Sequence, residues 1–143
     1  MLHQLEKGDE LIVRDVWGAI TYKGPGYFIA GGAGITPFLA ILRQLHKDDD
    51  IRDNVLFFSN KTGEDIIEEQ DLANILGKNA RFVLTQEYKN GYEHTHIDGA
   101  FLRQYVNNFH RPFYICGPDP MIQGISATLT SLGAVPEALV FEK

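Results

Sequence analysis

The residues best suited to chemistry in this chain are seven in a row, Gly31-Gly32-Ala33-Gly34-Ile35-Thr36-Pro37, and the chemistry they suit is holding a phosphate. Glycines let a backbone take positive φ and approach a ligand closely, while a helix starting just after them offers unpaired N–H groups and the positive end of its dipole. Against the dinucleotide-binding pattern G-x-G-x-x-G, the run matches at Gly32 and Gly34 and puts Pro37 where the third glycine would stand. The alternative at this spacing is that the glycines serve only a tight strand-to-helix turn. A second run, Cys116-Gly117-Pro118-Asp119-Pro120-Met121, also follows an apolar stretch and opens a helical pattern. Two such junctions on neighbouring strands would frame one crevice. Cys116 taken alone reads more readily as a small core residue than as a reactive thiol. A third run, Ser59-Asn60-Lys61-Thr62, follows another apolar stretch, at the place where a doubly wound fold reads an adenosine ribose. Lys61 suits a 2′-phosphate there and suits open solvent equally, and no acidic residue stands directly at the strand end.

Other chemistries find no support. His94 and His96 form a His-x-His pair in a loop without further ligands nearby, whereas a metal site needs three or four that converge, so no metal is expected. Nothing resembles a Ser/His/Asp set or a glycosidase carboxylate pair in a supporting context. With 143 residues, a formal net charge of -6 and a single cysteine, the chain has no internal disulfide and lacks the basic face a nucleic-acid binder needs. No apolar stretch approaches a membrane span, and the opening residues make no signal peptide, so a cytoplasmic location is expected.

Five short apolar runs must carry these loops: Tyr27 to Ala30, Val55 to Ser59, Phe82 to Thr85, Phe113 to Cys116 and Leu139 to Phe141. They do not alternate, which suits strands of a parallel sheet buried on both faces. Helical spacing falls between them. Phe38, Ile41, Leu42 and Leu45 follow Pro37, which suits a first helical turn. Glu64 to Leu76 carries a second apolar stripe, including Ile66, Ile67, Leu72 and Leu76, behind an acidic start. Asp98 suits the cap of a short helix holding Phe101, Leu102, Tyr105 and Val106. Met121, Ile122, Ile125, Leu129 and Leu132 make a fourth stripe, ended by Gly133. The order βαβαβαβαβ predicts an α/β fold with a doubly wound, five-stranded parallel sheet and helices on both faces, its ligand lying off the carboxyl ends of the strands. Residues before Lys23-Gly24-Pro25-Gly26 fall outside this scheme; Leu11-Ile12-Val13 reads as a strand after a turn. The expected division is 1–24 for the tail of a preceding domain and 25–143 for the sheet.

The glycine run and the Cys116 run, in this order and separation, resemble the ferredoxin-NADP reductase superfamily, which includes flavodoxin reductases and dioxygenase reductases. Gly8-Asp9-Glu10-Leu11 through Val16-Trp17-Gly18 is also similar to the last strand and exit of that family's flavin-binding barrel, so the resemblance spans nearly the whole chain. It implies that Gly31 to Pro37 hold the pyrophosphate of NADPH or NADH, with Thr36 near the nicotinamide and Cys116 close to the carbon that gives up hydride. Gly117 and Pro118 would shape the same pocket and Met121 would anchor the helix behind it. Glu142 matches an acidic residue near the nicotinamide, although Lys143 stands where many relatives place a flavin-stacking aromatic. Asp65 resembles a position just inside the next helix and is read as structural. The implied reaction is hydride transfer between NAD(P)H and FAD, with electrons passed to flavodoxin or ferredoxin. Most of the FAD site would lie in a preceding barrel, and the chain alone is expected to be inactive. A regulatory module that senses nucleotide without redox turnover, and a domain for a phosphorylated metabolite, are the rival readings.

Overall fold

A computed structural model describes residues 11–15, 18–134 and 139–141. In chain order the elements are β1 (Leu11–Asp15), β2 (Gly18–Tyr22), β3 (Tyr27–Gly31), α1 (Ile35–Lys47), β4 (Val55–Asn60), α2 (Glu69–Leu76), β5 (Ala80–Leu84), β6 (Glu93–His94), α3 (Gly99–Tyr105), β7 (Phe113–Cys116), α4 (Asp119–Ser131) and β8 (Leu139–Phe141). The five anticipated strands form a parallel sheet, to which β6 adds a two-residue sixth strand at one edge.

Burial on both faces explains why these strands lack an alternating pattern. Every residue of β3 and of β7 is buried. Phe28, Ala30, Leu56, Phe58, Tyr114 and Cys116 belong to the core shared with α1 and α2. Tyr27, Ile29, Phe57, Phe113 and Ile115 belong to the opposite core, with α3 and α4. Since successive side chains of a strand point to opposite faces, both sets must be apolar. Cross-strand partners reinforce the register: Phe28 lies opposite Tyr114 with ring centroids 4.6 Å apart, and Tyr27 opposite Phe113 at 5.2 Å.

Strand order is β6-β5-β4-β3-β7-β8. From β3 the chain builds outward through β4 and β5, then returns across the sheet to place β7 on the other side of β3. The order therefore reverses between β3 and β7, and the loops leaving their carboxyl ends diverge to opposite faces. Such a reversal opens a crevice where doubly wound folds bind ligands.

Two elements depart from expectation. The anticipated helix over Glu64 to Leu76 is broken: residues Gly63–Asp65 make a single 3-10 turn and α2 begins only at Glu69. Thr62 and Asp65 close that turn on each other as a reciprocal capping box, Ile66 is extended, and Glu68 takes φ 55°, which ends helical continuity. The anticipated strand at Leu11 has a partner, β2, which pairs with it antiparallel from Leu11 opposite Tyr22 to Asp15 opposite Gly18. Ile20, Thr21 and Tyr22 are good strand formers, which suits them to β2.

The segment joining this hairpin to the sheet is tied down at the sheet's amino end. Asn54, fully buried, accepts from the Gly26 N–H at 2.9 Å and donates to the Tyr22 hydroxyl at 3.0 Å and the Ile51 carbonyl at 2.9 Å. The Tyr114 hydroxyl accepts from the Lys23 N–H and donates to the Gly24 carbonyl, both at 2.8 Å. Burial pushes the Tyr114 phenol well above its ordinary range and raises Tyr22 as well.

Candidate functional site

At the carboxyl edge of the sheet, a cleft of about 410 Å³ is lined by Gly31, Gly32 and Ala33 from the β3 loop, Ser59, Asn60 and Lys61 from the end of β4, Asp65 and Ile67 beyond it, Thr85 after β5, and Pro118 and Met121 at the start of α4. That volume is within the range of small-ligand pockets. Eight residues singled out in the sequence thus meet in one place, drawn from three loops far apart in the chain.

The glycines have separate tasks. A side chain on Gly34 would run into the end of β7, its Cβ standing 2.6 Å from the Cys116 carbonyl carbon and 2.9 Å from the Gly117 nitrogen. One on Gly31 would collide with the Met121 thioether and stand 3.4 Å from Pro118 Cδ. Gly34 therefore lets the two junctions pack backbone to backbone, and Gly31 leaves room for the side chains at the start of α4. Gly32 differs: its φ is +55°, and a Cβ there would meet nothing within 4 Å. Its requirement is conformational, and its surroundings are open to the cleft. The turn-only reading accounts for the close packing at Gly31 and Gly34 and for the positive φ of Gly32; the open space beside Gly32 adds room at the cleft.

Electrostatics single out α1. Its N-terminus has no side-chain cap and no acidic residue in its first turn. By contrast, Glu69 and Asp71 occupy the first turn of α2, Asp98 caps α3 through the Phe101 N–H at 2.9 Å, and Asp119 opens α4. A helix start without an internal anion keeps its positive potential for a bound one. Lys61, exposed on the cleft wall, adds a positive charge. Backbone bonds hold it there, because the Thr85 N–H donates to the Asn60 carbonyl and the Gln86 N–H to the Lys61 carbonyl, each at 2.9 Å. Asn60 is only 6% exposed, and its Nδ2 has no hydrogen-bond partner among the described residues. A buried donor left so is destabilising unless something arrives to accept from it, and Asn60 lines the cleft.

The remaining anticipated residues lie elsewhere. Ile35 and Pro37 are buried and seat the first turn of α1, whereas Thr36 is exposed on it; none of the three lines the cleft. Cys116 is 4% exposed, and its side chain belongs to the core beneath α1. Gly117 packs against Met121 and Gly31. Glu142 lies outside the described residues. Asp65, Ile67 and Thr85 reach the cleft without having been anticipated. Ile67 had been placed in a helical core stripe, yet it is 39% exposed because the break at Glu68 turns it outward. Among the described residues no cluster of metal-binding side chains occurs, and no helix is long and apolar enough to cross a membrane. His94 meets the Glu87 carbonyl through Nδ1 at 2.7 Å. His96 lines a second hollow of about 330 Å³ between Asp98 and α4, which shares Ser59 and Met121 with the cleft.

Residues 28–127 match the family model described as the oxidoreductase NAD-binding domain. The chain is 30% identical to NADH-cytochrome b5 reductase 1 of Bos taurus, over 95% of its own length and 54% of that protein. It is 29% identical to nitrate reductase [NADH] 1 of Nicotiana tabacum, over 92% of its length and 17% of the relative's. Among solved structures, the CS-b5R domains of human Ncb5or in their NAD+ form superpose with a TM-score of 0.69 at 27% identity, covering 82% of this chain and 36% of that one. The flavohem-like FAD/NAD-binding domain of the Vibrio cholerae nitric oxide dioxygenase gives a TM-score of 0.76 at 20% identity, over 85% and 51%, a likeness of fold. The chain spans about half the length of the bovine reductase and less of the tobacco enzyme.

Proposed function

Since the chain belongs to the oxidoreductase NAD-binding domain family, the NAD-binding part of the ferredoxin-NADP reductase superfamily, we propose that its cleft holds the adenosine diphosphate half of a pyridine dinucleotide within a longer flavin-dependent reductase. The observation that carries this reading is a set of donors at one cleft, the backbone of the open Gly32 turn, the Asn60 Nδ2 and the Lys61 ammonium, with the anion-free start of α1 behind that turn. Donors placed this way fit a diphosphate.

Hydride donation is chemistry the dinucleotide supplies when bound, with FAD as the acceptor. The chain's own residues act by position. Gly31 and Gly34 hold the β3 and β7 junctions in contact, Gly32 exposes backbone to the phosphates, and Pro118, Met121 and Ile67 give the cleft an apolar wall suited to a base. Cys116 and the 3-10 turn at Gly32–Gly34 stand at the reversal in strand order, so a nicotinamide leaving the cleft toward β7 would pass over them. No side chain need act as general acid or base.

For the acceptor we propose a one-electron carrier of the cytochrome b5 kind. The relatives are named for cytochrome b5 reduction and nitrate reduction, and both names specify NADH. The flavodoxin or ferredoxin implied by the sequence resemblance draws no support from them. Residues 1–24 fit the end of a preceding flavin domain: the β1-β2 pair forms a two-stranded sheet of its own, whose Tyr22 packs into the core beneath α1. Two measurements test the reading. Calorimetric titration of this chain with ADP, NAD+ and a sugar phosphate should show binding of the first two only. The longest natural protein containing this chain should carry flavin absorbance and reduce cytochrome b5 with NADH. Absence of flavin there would refute the reductase assignment.

A further inference from the structure

We propose that Asn90 is a site of spontaneous chemical modification, at which the Gly91 backbone nitrogen attacks the asparagine side chain and ammonia is lost, leaving aspartate or isoaspartate. The inference is independent of what the cleft binds. Asn90 is the only asparagine of the chain followed by glycine. The chemistry needs that pairing, because the attacking nitrogen must turn toward the carboxamide and a side chain on the following residue hinders it. The step uses only water and a solvent base. The base takes the Gly91 amide proton, the nitrogen bonds to the Asn90 side-chain carbonyl carbon, and the carbon–nitrogen bond of the carboxamide breaks. Ammonia leaves with a proton, and a cyclic imide remains. Water then opens the imide at either carbonyl. One opening yields aspartate; the other yields isoaspartate, in which the main chain runs through the former side chain.

Tertiary structure leaves the pair open to this reaction. The Tyr92 N–H donates to the Lys89 carbonyl at 3.1 Å, closing a turn with Asn90 and Gly91 at its two central positions. Gly91 takes φ +88°, as the second central residue of a type II turn must, and a Cβ there would meet nothing within 4 Å. Residues 88–91 are exposed, and among the described residues no hydrogen bond engages the Asn90 carboxamide or the Gly91 N–H. Asp98-Gly99, which could form the same imide, is held instead: Asp98 caps α3 through the Phe101 N–H at 2.9 Å, and Gly99 is the first residue of that helix. Position gives the change a consequence. The loop carrying Asn90 backs the cleft wall, the Gln86 N–H donating to the Lys61 carbonyl at 2.9 Å and the Glu87 carboxylate accepting from the Gly63 N–H at 2.8 Å. Either product adds a negative charge to that loop, and isoaspartate also lengthens its backbone within the turn.

Peptide mapping by mass spectrometry tests the proposal, with a synthetic peptide of residues 86–95 as the clock. The folded chain and the peptide are incubated side by side at neutral and at mildly alkaline pH, and samples are digested and scored for deamidation and for isoaspartate by enzymatic methylation. Asn90 in the folded chain should convert within about tenfold of the peptide's rate. Conversion should be faster at the alkaline pH, because the attacking amide must lose its proton, and the other asparagines and Asp98 should stay unchanged. Gly91→Ala should slow the reaction about tenfold or more. Since alanine strains that turn, Asn90→Gln, which keeps Gly91, is measured in parallel and should show no conversion there. Asn90 still intact in the folded chain once the peptide has converted completely, or conversion spread equally over the other asparagines, would overturn the proposal.

Discussion

A methyl group placed on Gly34 should loosen the whole cleft. The new Cβ would lie 2.6 Å from the Cys116 carbonyl carbon and 2.9 Å from the Gly117 nitrogen, both backbone atoms. Carbon atoms in comfortable contact sit about 3.5–4.0 Å apart, so the β3 and β7 junctions must separate by roughly 1 Å. No rotamer change relieves backbone against backbone. Overpacking of this kind destabilises by about 1–3 kcal/mol, and each kcal/mol lowers the melting temperature of a domain this size by roughly 4 °C, which gives a fall of about 4–12 °C for Gly34→Ala. Because the displaced segments carry opposite walls of the cleft, ADP affinity should fall by about tenfold or more. Gly32→Ala is the informative comparison. It meets no atoms within 4 Å but forces alanine to φ +55°, at about 1–2 kcal/mol, and sets a methyl where the phosphates approach. It should show the smaller thermal loss and at least as large a loss of binding. Thermal unfolding by circular dichroism and calorimetric titration with ADP measure both quantities. A Gly34→Ala protein melting within about 2 °C of the parent would show that the junctions do not pack as described.

Three further outcomes follow from the same geometry. Asn60→Ala removes a buried donor that has no partner, so stability should hold within about 1 kcal/mol while ADP affinity drops about tenfold; denaturant and titration curves compare the two. Asn54→Ala, at the opposite end of β4, strands the Gly26 N–H and the Tyr22 hydroxyl and should lower stability by about 2–4 kcal/mol, with ADP affinity changed less than about threefold. The raised phenols of Tyr114 and Tyr22 keep their protons in the folded state while the unfolded chain loses them above about pH 10. Stability from these groups is therefore complete below that pH and declines as pH rises beyond it. The urea midpoint should fall between about pH 9 and pH 11.5, less steeply in Tyr114→Phe, and equal slopes in the two proteins would contradict this.

Local features were legible where they depend on neighbours in sequence. The apolar runs around Phe28, Phe57 and Ile115 mark strands buried on both faces, because a parallel sheet between helix layers leaves no polar side. Asp98 was recognisable as a cap from its place ahead of Phe101 and Leu102, and the Gly31–Pro37 run was recognisable as a strand-to-helix junction, suited to a phosphate or to a tight turn alone. The helix around Ile67 was misread because periodicity continues through a stretch whose backbone is broken by the Thr62–Asp65 box and the left-handed Glu68. That conformation leaves no mark in a hydrophobic stripe. β2 went unrecognised because a short strand is identified mainly by its partner.

The chain's own residues, read in order, thus determine strands, helices, the glycine turns and membership of a nucleotide-binding class, all of which rest on short-range sterics and burial. Tertiary structure alone decided which loops meet. It set β7 beside β3, so that Gly34 must be glycine for Cys116's sake, and it left the space beside Gly32 open. It also folded Asp65 back onto the cleft and left Asn60 Nδ2 without a partner there. Strand order and close approach are fixed by contacts between segments more than eighty residues apart, and no local pattern encodes the distance between them.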